Sequence, residues 1–296
     1  MAGDRGEHRQ ALDLIRFLAA FGIVWAHMGA PWPQEGYTAI SVFLIMTAHL
    51  SVDSLRRTQG RFSWLARAGR IAVPWLVWSV FFKTLMVLTA DDWRAALRVT
   101  DPWSLLVGPS IHLWFLPFLM LGALIVVLAH RTITRRGEVI ALCVLAIPLS
   151  VEVLLLHRYG HLPEPVMQWS FALPPFLYGL LAAYARGYGV MWAPLGFITI
   201  VAGISVAISG ESWGPQFVVG ALIFEWARQS DLRLGGLPAL GKLAFGIYLI
   251  HPFFLLVWYF LMPAGSNTAL AAVFVFAASG IAIALLRQVP MLGRLV

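Results

Sequence analysis

Arg16 and His27 stand eleven residues apart in the first of about ten apolar stretches, where an ionisable side chain is costly and needs a partner or a cavity. Eleven residues make about three helical turns, ~16 Å, so both side chains point to one face of one helix. Asp13 falls close to the same stripe. An imidazole in a low-dielectric cavity stays neutral and can take a proton from a hydroxyl near pH 7. Arg16 keeps its charge and needs an anion, either Asp13 one turn away or a ligand's phosphate or carboxylate. The plain reading of the same residues is a helix-end ion pair with His27 bonded to a neighbouring helix, and spacing leaves both open.

Three further segments carry polar groups at helical spacing. Arg67 and Arg70 are three apart and precede Pro74. They either hold a polyphosphate on one helix face or anchor the chain at a membrane surface. His112-Leu-Trp114-Phe-Leu-Pro117 opens the fourth stretch, where a tryptophan is commonly an interface anchor. Gly241-Lys-Leu-Ala-Phe-Gly-Ile-Tyr248-Leu-Ile-His251-Pro252 places Tyr248 and His251 on one face beside a proline expected to kink the helix. That pair is either a buried hydrogen bond or part of a polar cavity. His49, Glu152 and Glu225 are also intramembrane and receive no role from the sequence. Zinc spacings, phosphate loops, dinucleotide fingerprints and nucleophile elbows do not occur. Cys143 is the single cysteine, which excludes an intramolecular disulfide and a thiolate cluster. Neither a metal nor a bound cofactor is expected.

These residues must be positioned by membrane helices. Of 296 residues, 60% are hydrophobic and 12% charged, and mean hydropathy is +0.80. A soluble domain of this size needs far more charged surface. Apolar runs long enough to span a bilayer fall near 12–31, 37–55, 70–90, 111–130, 138–156, 169–186, 190–209, 213–229, 238–262 and 268–287. The predicted fold is therefore all-α, a polytopic membrane protein of about ten transmembrane helices in one bundle, a single domain over 1–296. With both termini in the cytoplasm, seventeen of the 21 Lys and Arg residues fall inside. Arg94, Arg98 and Arg158 fall outside, with the acids Glu35, Asp91, Asp92, Asp101, Glu164 and Glu211. That is the positive-inside asymmetry. It accounts for the net charge of +7 without nucleic acid as a partner. The first span is expected to remain uncleaved, because Asp13 and Arg16 fit a signal peptide poorly. No clear G-x-x-x-G seam indicates an oligomeric state.

Taken in order from residue 12 to residue 252, the four segments resemble the acyltransferase-3 family of integral-membrane acyltransferases. The matches are Leu12-Asp13-Leu-Ile-Arg16-Phe-Leu-Ala-Ala with His27, Arg67-x-x-Arg70 leading to Pro74, His112-Leu-Trp114-Phe-Leu, and the Gly241–Pro252 segment. Thr47-Ala48-His49 stands where relatives usually carry a Ser-Gly-Phe-like turn. The resemblance implies an O-acyltransferase that moves an acyl group, by default acetyl, from cytoplasmic acyl-CoA to a hydroxyl of a cell-surface or lipid-linked carbohydrate. The expected location is the cell membrane, a bacterial inner membrane by this resemblance. His27 would be the base, or would carry the acyl group outward as acyl-histidine. Arg16, Arg67 and Arg70 would bind the donor, Asp13 would orient Arg16, and Trp114, Tyr248 and His251 would support or wall the cavity. With the whole length taken up by apolar stretches, the acceptor is expected to be handled by the membrane domain itself. A transporter or lipid flippase is the rival class, since such proteins also bury His, Arg and Glu. Paired repeat halves and matched broken helices, which would favour it, do not occur.

Overall fold

The computed structural model describes residues 9–58, 63–99, 101–209, 213–263 and 265–296. Arg5, Arg61 and Glu211 of the sidedness count lie outside them. Every regular element among the described residues is a helix. In chain order these are α1 (Gln10–His27), α2 (Glu35–Arg57), α3 (Trp64–Thr89), the short α4 (Trp93–Leu97) and α5 (Ser104–Val107), and α6 (Phe115–Thr132). Then follow α7 (Arg136–Tyr159), α8 (Val166–Tyr188), α9 (Trp192–Ser209), α10 (Trp213–Gln229), α11 (Leu237–Leu261) and α12 (Thr268–Leu286). A 3₁₀ turn, Ile111–Trp114, leads into α6.

Ten long helices thus stand where apolar stretches were expected, with several corrections. α1 ends at His27 rather than near residue 31, because the chain turns at Gly29, whose φ is +62°. α3 starts at Trp64, ahead of residue 70, because the Ser63 side chain accepts a hydrogen bond from the Ala66 amide and caps it. Arg67 and Arg70 therefore lie inside the helix. The helices α4 and α5 were not anticipated. Among the described residues seven helices are long and apolar enough to cross a membrane: α2, α3, α6 with its 3₁₀ turn, α7, α8, α11 and α12. Gln10, Asp13, Arg16 and His27 interrupt the apolar run of α1, and α9 and α10 are shorter.

α2 is the centre of the assembly. It packs on α1, α6, α8 and α10, and fourteen of its 23 residues are buried. By contrast α3 exposes Val73, Leu76, Val77, Val80 and Phe81, a face suited to lipid tails and costly in water. The α2–α8 contact is close because Gly179 has no side chain. A Cβ there would run into the backbone of Ile45, and glycine at such a crossing lets two helices approach. Gly179→Val is expected to destabilise the protein by roughly 1–3 kcal/mol, read as a lower thermal midpoint in detergent. An unchanged midpoint would show that this crossing tolerates bulk. On the other side of the bundle α1 packs on α11, where Gly241 leaves the space that the Asp13 side chain occupies.

Candidate functional site

Pairing α1 with α11 brings the last residue of α1 against a histidine 224 positions away. His27 Nδ1 lies 2.7 Å from His251 Nε2, with the rings stacked at 5.0 Å between centroids. Pro252 explains the position of His251. The carbonyl of Tyr248 would ordinarily accept the amide of residue 252 in a helix, and proline has none. His251 Nδ1 lies 2.7 Å from that freed carbonyl. A carbonyl only accepts, so His251 carries its proton on Nδ1 and presents a bare Nε2. That nitrogen must accept from His27 Nδ1–H. The neutral His27 is thereby left with an unprotonated Nε2, the form required of a base. His251 is fully buried, whereas His27 is exposed.

His112, in the 3₁₀ turn, completes the cluster. Its Nε2 donates to the Leu249 carbonyl at 3.1 Å, and Tyr248 donates its hydroxyl to the His112 carbonyl. The rings of His112 and His251 are 5.4 Å apart. His27, His112, Trp114 and Tyr248 share one cavity with Ile23, Ile40, Phe43, Phe115 and Phe245. Its volume is about 20 Å³, enough for one or two waters, so a larger substrate requires its aromatic walls to move.

A second, wider cleft of about 380 Å³ lies at the opposite end of the same helices. Thr47, Ser51, Ser54, Arg67, Arg70, Ile71, Leu119, Ala123 and Phe176 line it. Arg67 donates to Ser51 Oγ at 2.6 Å, and Ser51 donates to the Thr47 carbonyl at 2.5 Å. The two cavities share faces. Ile40 and Phe43 in the first, and Thr47, Ser51 and Ser54 in the second, recur every three or four residues and form one stripe of α2. Phe115 in the first, and Leu119 and Ala123 in the second, do the same on α6. Phe43 and Phe115 belong to the first lining, each one turn along its helix from the nearest residue of the second, Thr47 and Leu119, and their rings are 6.4 Å apart. From Ser54 to Phe43 is eleven residues of helix, ~16 Å.

The structure thus gathers His27, Trp114, Tyr248 and His251 at one end, and Arg67 and Arg70 at the other. Arg16 and Asp13 join neither lining. They form an ion pair at 3.6 Å, Asp13 buried and Arg16 half-buried. Tyr248 proves to be both hydrogen-bonded and part of the cavity wall, whereas His251 is hydrogen-bonded and buried behind that wall, and the two are not bonded side chain to side chain. Glu225 is taken up by Arg186 at 2.5 Å, with Arg228 at 3.7 Å and the Tyr178 hydroxyl at 3.3 Å. His49 packs edge-on to Phe224, with Asp53 3.7 Å away. His112, Ser51 and Ser54 are site-lining residues that sequence reasoning did not assign. The spacing of Thr47, Ser51 and Ser54, which puts all three on one face of α2, was the signal for the serines.

A search of curated proteins and a search of solved structures each found no match. The family model for the acyltransferase-3 type, described as an acyltransferase domain, matches residues 9–287. That range takes in both cavities and every residue that shapes them, and the chain accordingly belongs to the acyltransferase-3 family of membrane acyltransferases.

Proposed function

We propose that this protein moves an acyl group, acetyl by default, from cytoplasmic acyl-CoA to a hydroxyl of a cell-surface or lipid-linked carbohydrate. All ten long helices cross the bilayer in this reading, and both termini face the cytoplasm. The polar residues of α1 are compatible with a membrane position because α2, α10, α11 and α12 surround it. The bacterial inner membrane is the proposed location. One observation carries the proposal: a basic cleft and a histidine cavity lie end to end along the same face of α2.

Arg67 and Arg70 would pair with the donor's phosphates at the cytoplasmic end, as guanidinium groups do. An extended chain bearing the thioester would follow the α2 stripe for ~16 Å past Phe43 and Phe115. Arg16, held by Asp13, adds positive charge on the cytoplasmic side of His27. At the far end His27 Nε2 takes the proton of the acceptor hydroxyl as its oxygen attacks the acyl carbonyl. Trp114 walls the cavity there.

Purified protein in vesicles given radiolabelled acetyl-CoA tests the reading. Covalent label on glycan or lipid supports it, whereas vesicle uptake without covalent transfer favours a transporter and overturns it. Replacing both arginines, Arg67→Gln with Arg70→Gln, is expected to raise the donor KM about tenfold or more while kcat changes little. An unchanged donor KM would remove the arginines from the phosphate site.

A further inference from the structure

Next to the paired histidines lies a hydroxyl–imidazole contact that the scheme above does not use. Ser110 Oγ is 2.8 Å from His112 Nδ1. Because His112 Nε2 donates to the Leu249 carbonyl at 3.1 Å, Nδ1 is the bare nitrogen and Ser110 is the donor. Ser110 also occupies the N-cap of the 3₁₀ turn, yet its side chain makes no capping bond. A serine in that place ordinarily caps. Here the hydroxyl turns to the imidazole instead. His112 is 2% exposed, lines the cavity that holds His27, and is clamped through its own carbonyl by Tyr248. A hydroxyl on a base, with the base oriented by a third group, is the arrangement of an activated nucleophile.

We propose that Ser110 is a nucleophile that carries the acyl group between donor and acceptor, with His112 as its base and the Leu249 carbonyl as the orienting group. The inference rests on the thioester donor of the proposed function and adds a covalent step to it. In the first half-reaction His112 Nδ1 takes the Ser110 proton as Oγ attacks the thioester carbonyl. The C–S bond breaks and the thiolate leaves, leaving an ester on Ser110 and an imidazolium at His112. In the second half-reaction His27 Nε2 takes the acceptor's hydroxyl proton and the acceptor oxygen attacks the ester carbonyl. The bond from that carbonyl to Ser110 Oγ breaks, and Oγ regains the proton that His112 held. His27 then loses its proton to water at its exposed side, and the thiolate gains one in the cytoplasm.

The order of the two bases makes the proposal testable. Only the second half-reaction needs His27, so His27→Ala should accumulate the acyl-enzyme. Wild type, His27→Ala, Ser110→Ala and the double variant His27→Ala with Ser110→Cys are incubated with radiolabelled acetyl-CoA without acceptor, then analysed by peptide mass mapping. Label is expected on Ser110 in His27→Ala, and as a hydroxylamine-labile thioester on the cysteine in the double variant. Ser110→Ala should carry no label and lose transfer about 100-fold or more while still melting cooperatively, its midpoint lowered only by the lost hydrogen bond to buried His112. The proposal is overturned if Ser110→Ala transfers within about threefold of wild type. It is also overturned if label maps elsewhere in His27→Ala, or if the cysteine variant folds without forming the thioester. Wild type that neither transfers nor hydrolyses acetyl-CoA would instead overturn the donor assignment on which the inference rests.

Discussion

His27→Ala is expected to lower acyl transfer about 10²- to 10⁴-fold, the range that a positioned general base contributes. The loss should fall on kcat, because no substrate-binding group is removed and the arginine cleft lies three turns of α2 away. Stability should fall by no more than about 1–3 kcal/mol. His27 is the last residue of its helix and is exposed, but its hydrogen bond serves the buried Nε2 of His251, which keeps only its second bond to Tyr248. Steady-state turnover with labelled acetyl-CoA, set beside a thermal melt of the same preparation, checks both halves. Near-normal turnover in a folded variant would take His27 out of the chemistry.

His251→Phe should cost about 100-fold in kcat although residue 251 need not touch either substrate. The phenyl ring fills much of the same volume but can neither accept from His27 nor donate to the Tyr248 carbonyl. Two consequences follow. His27 is free to place its proton on either nitrogen, and the wrong tautomer at an otherwise intact base is known to be severely inhibitory. The Tyr248 carbonyl, already without a helical partner because of Pro252, becomes a buried acceptor with none, at about 1–3 kcal/mol of stability. His251→Gln separates these roles, since an amide both donates and accepts. It is expected to recover much of the lost kcat, and to restore the pH profile of transfer that the phenylalanine variant distorts. A phenylalanine variant with wild-type kcat would reduce His251 to packing.

Helix existence was legible because the bilayer imposes a simple requirement of length and apolarity, and the ten long helices coincide with the ten apolar runs. Their ends were less so. Gly29 and Ser63 set the ends of α1 and α3 through local backbone geometry that hydropathy averages away. The candidate site was half visible. His27, Arg67, Arg70 and Tyr248 announce themselves as polar groups in apolar surroundings. Their grouping depends on which helices touch, and no periodicity encodes that α1 lies on α11 or that His112 reaches a carbonyl 137 residues away. His112 was further masked by Trp114, whose presence at a helix start reads equally well as an interface anchor. Glu225 remained unassigned for the same reason, its partner Arg186 being on another helix.

The Phe43–Phe115 contact has a consequence for the cell as a whole. A wet conduit through a bundle of this kind would short-circuit the ion gradients that energise a membrane. In the proposed path, the two edge-on phenyl rings of Phe43 and Phe115 would act as an electrical insulator. A flexible, uncharged tether can slip past such a seal while hydrated ions cannot follow. Under the proposed function, an acyl group drawn from metabolites held within would reach the exterior without a leak in the cell's power supply.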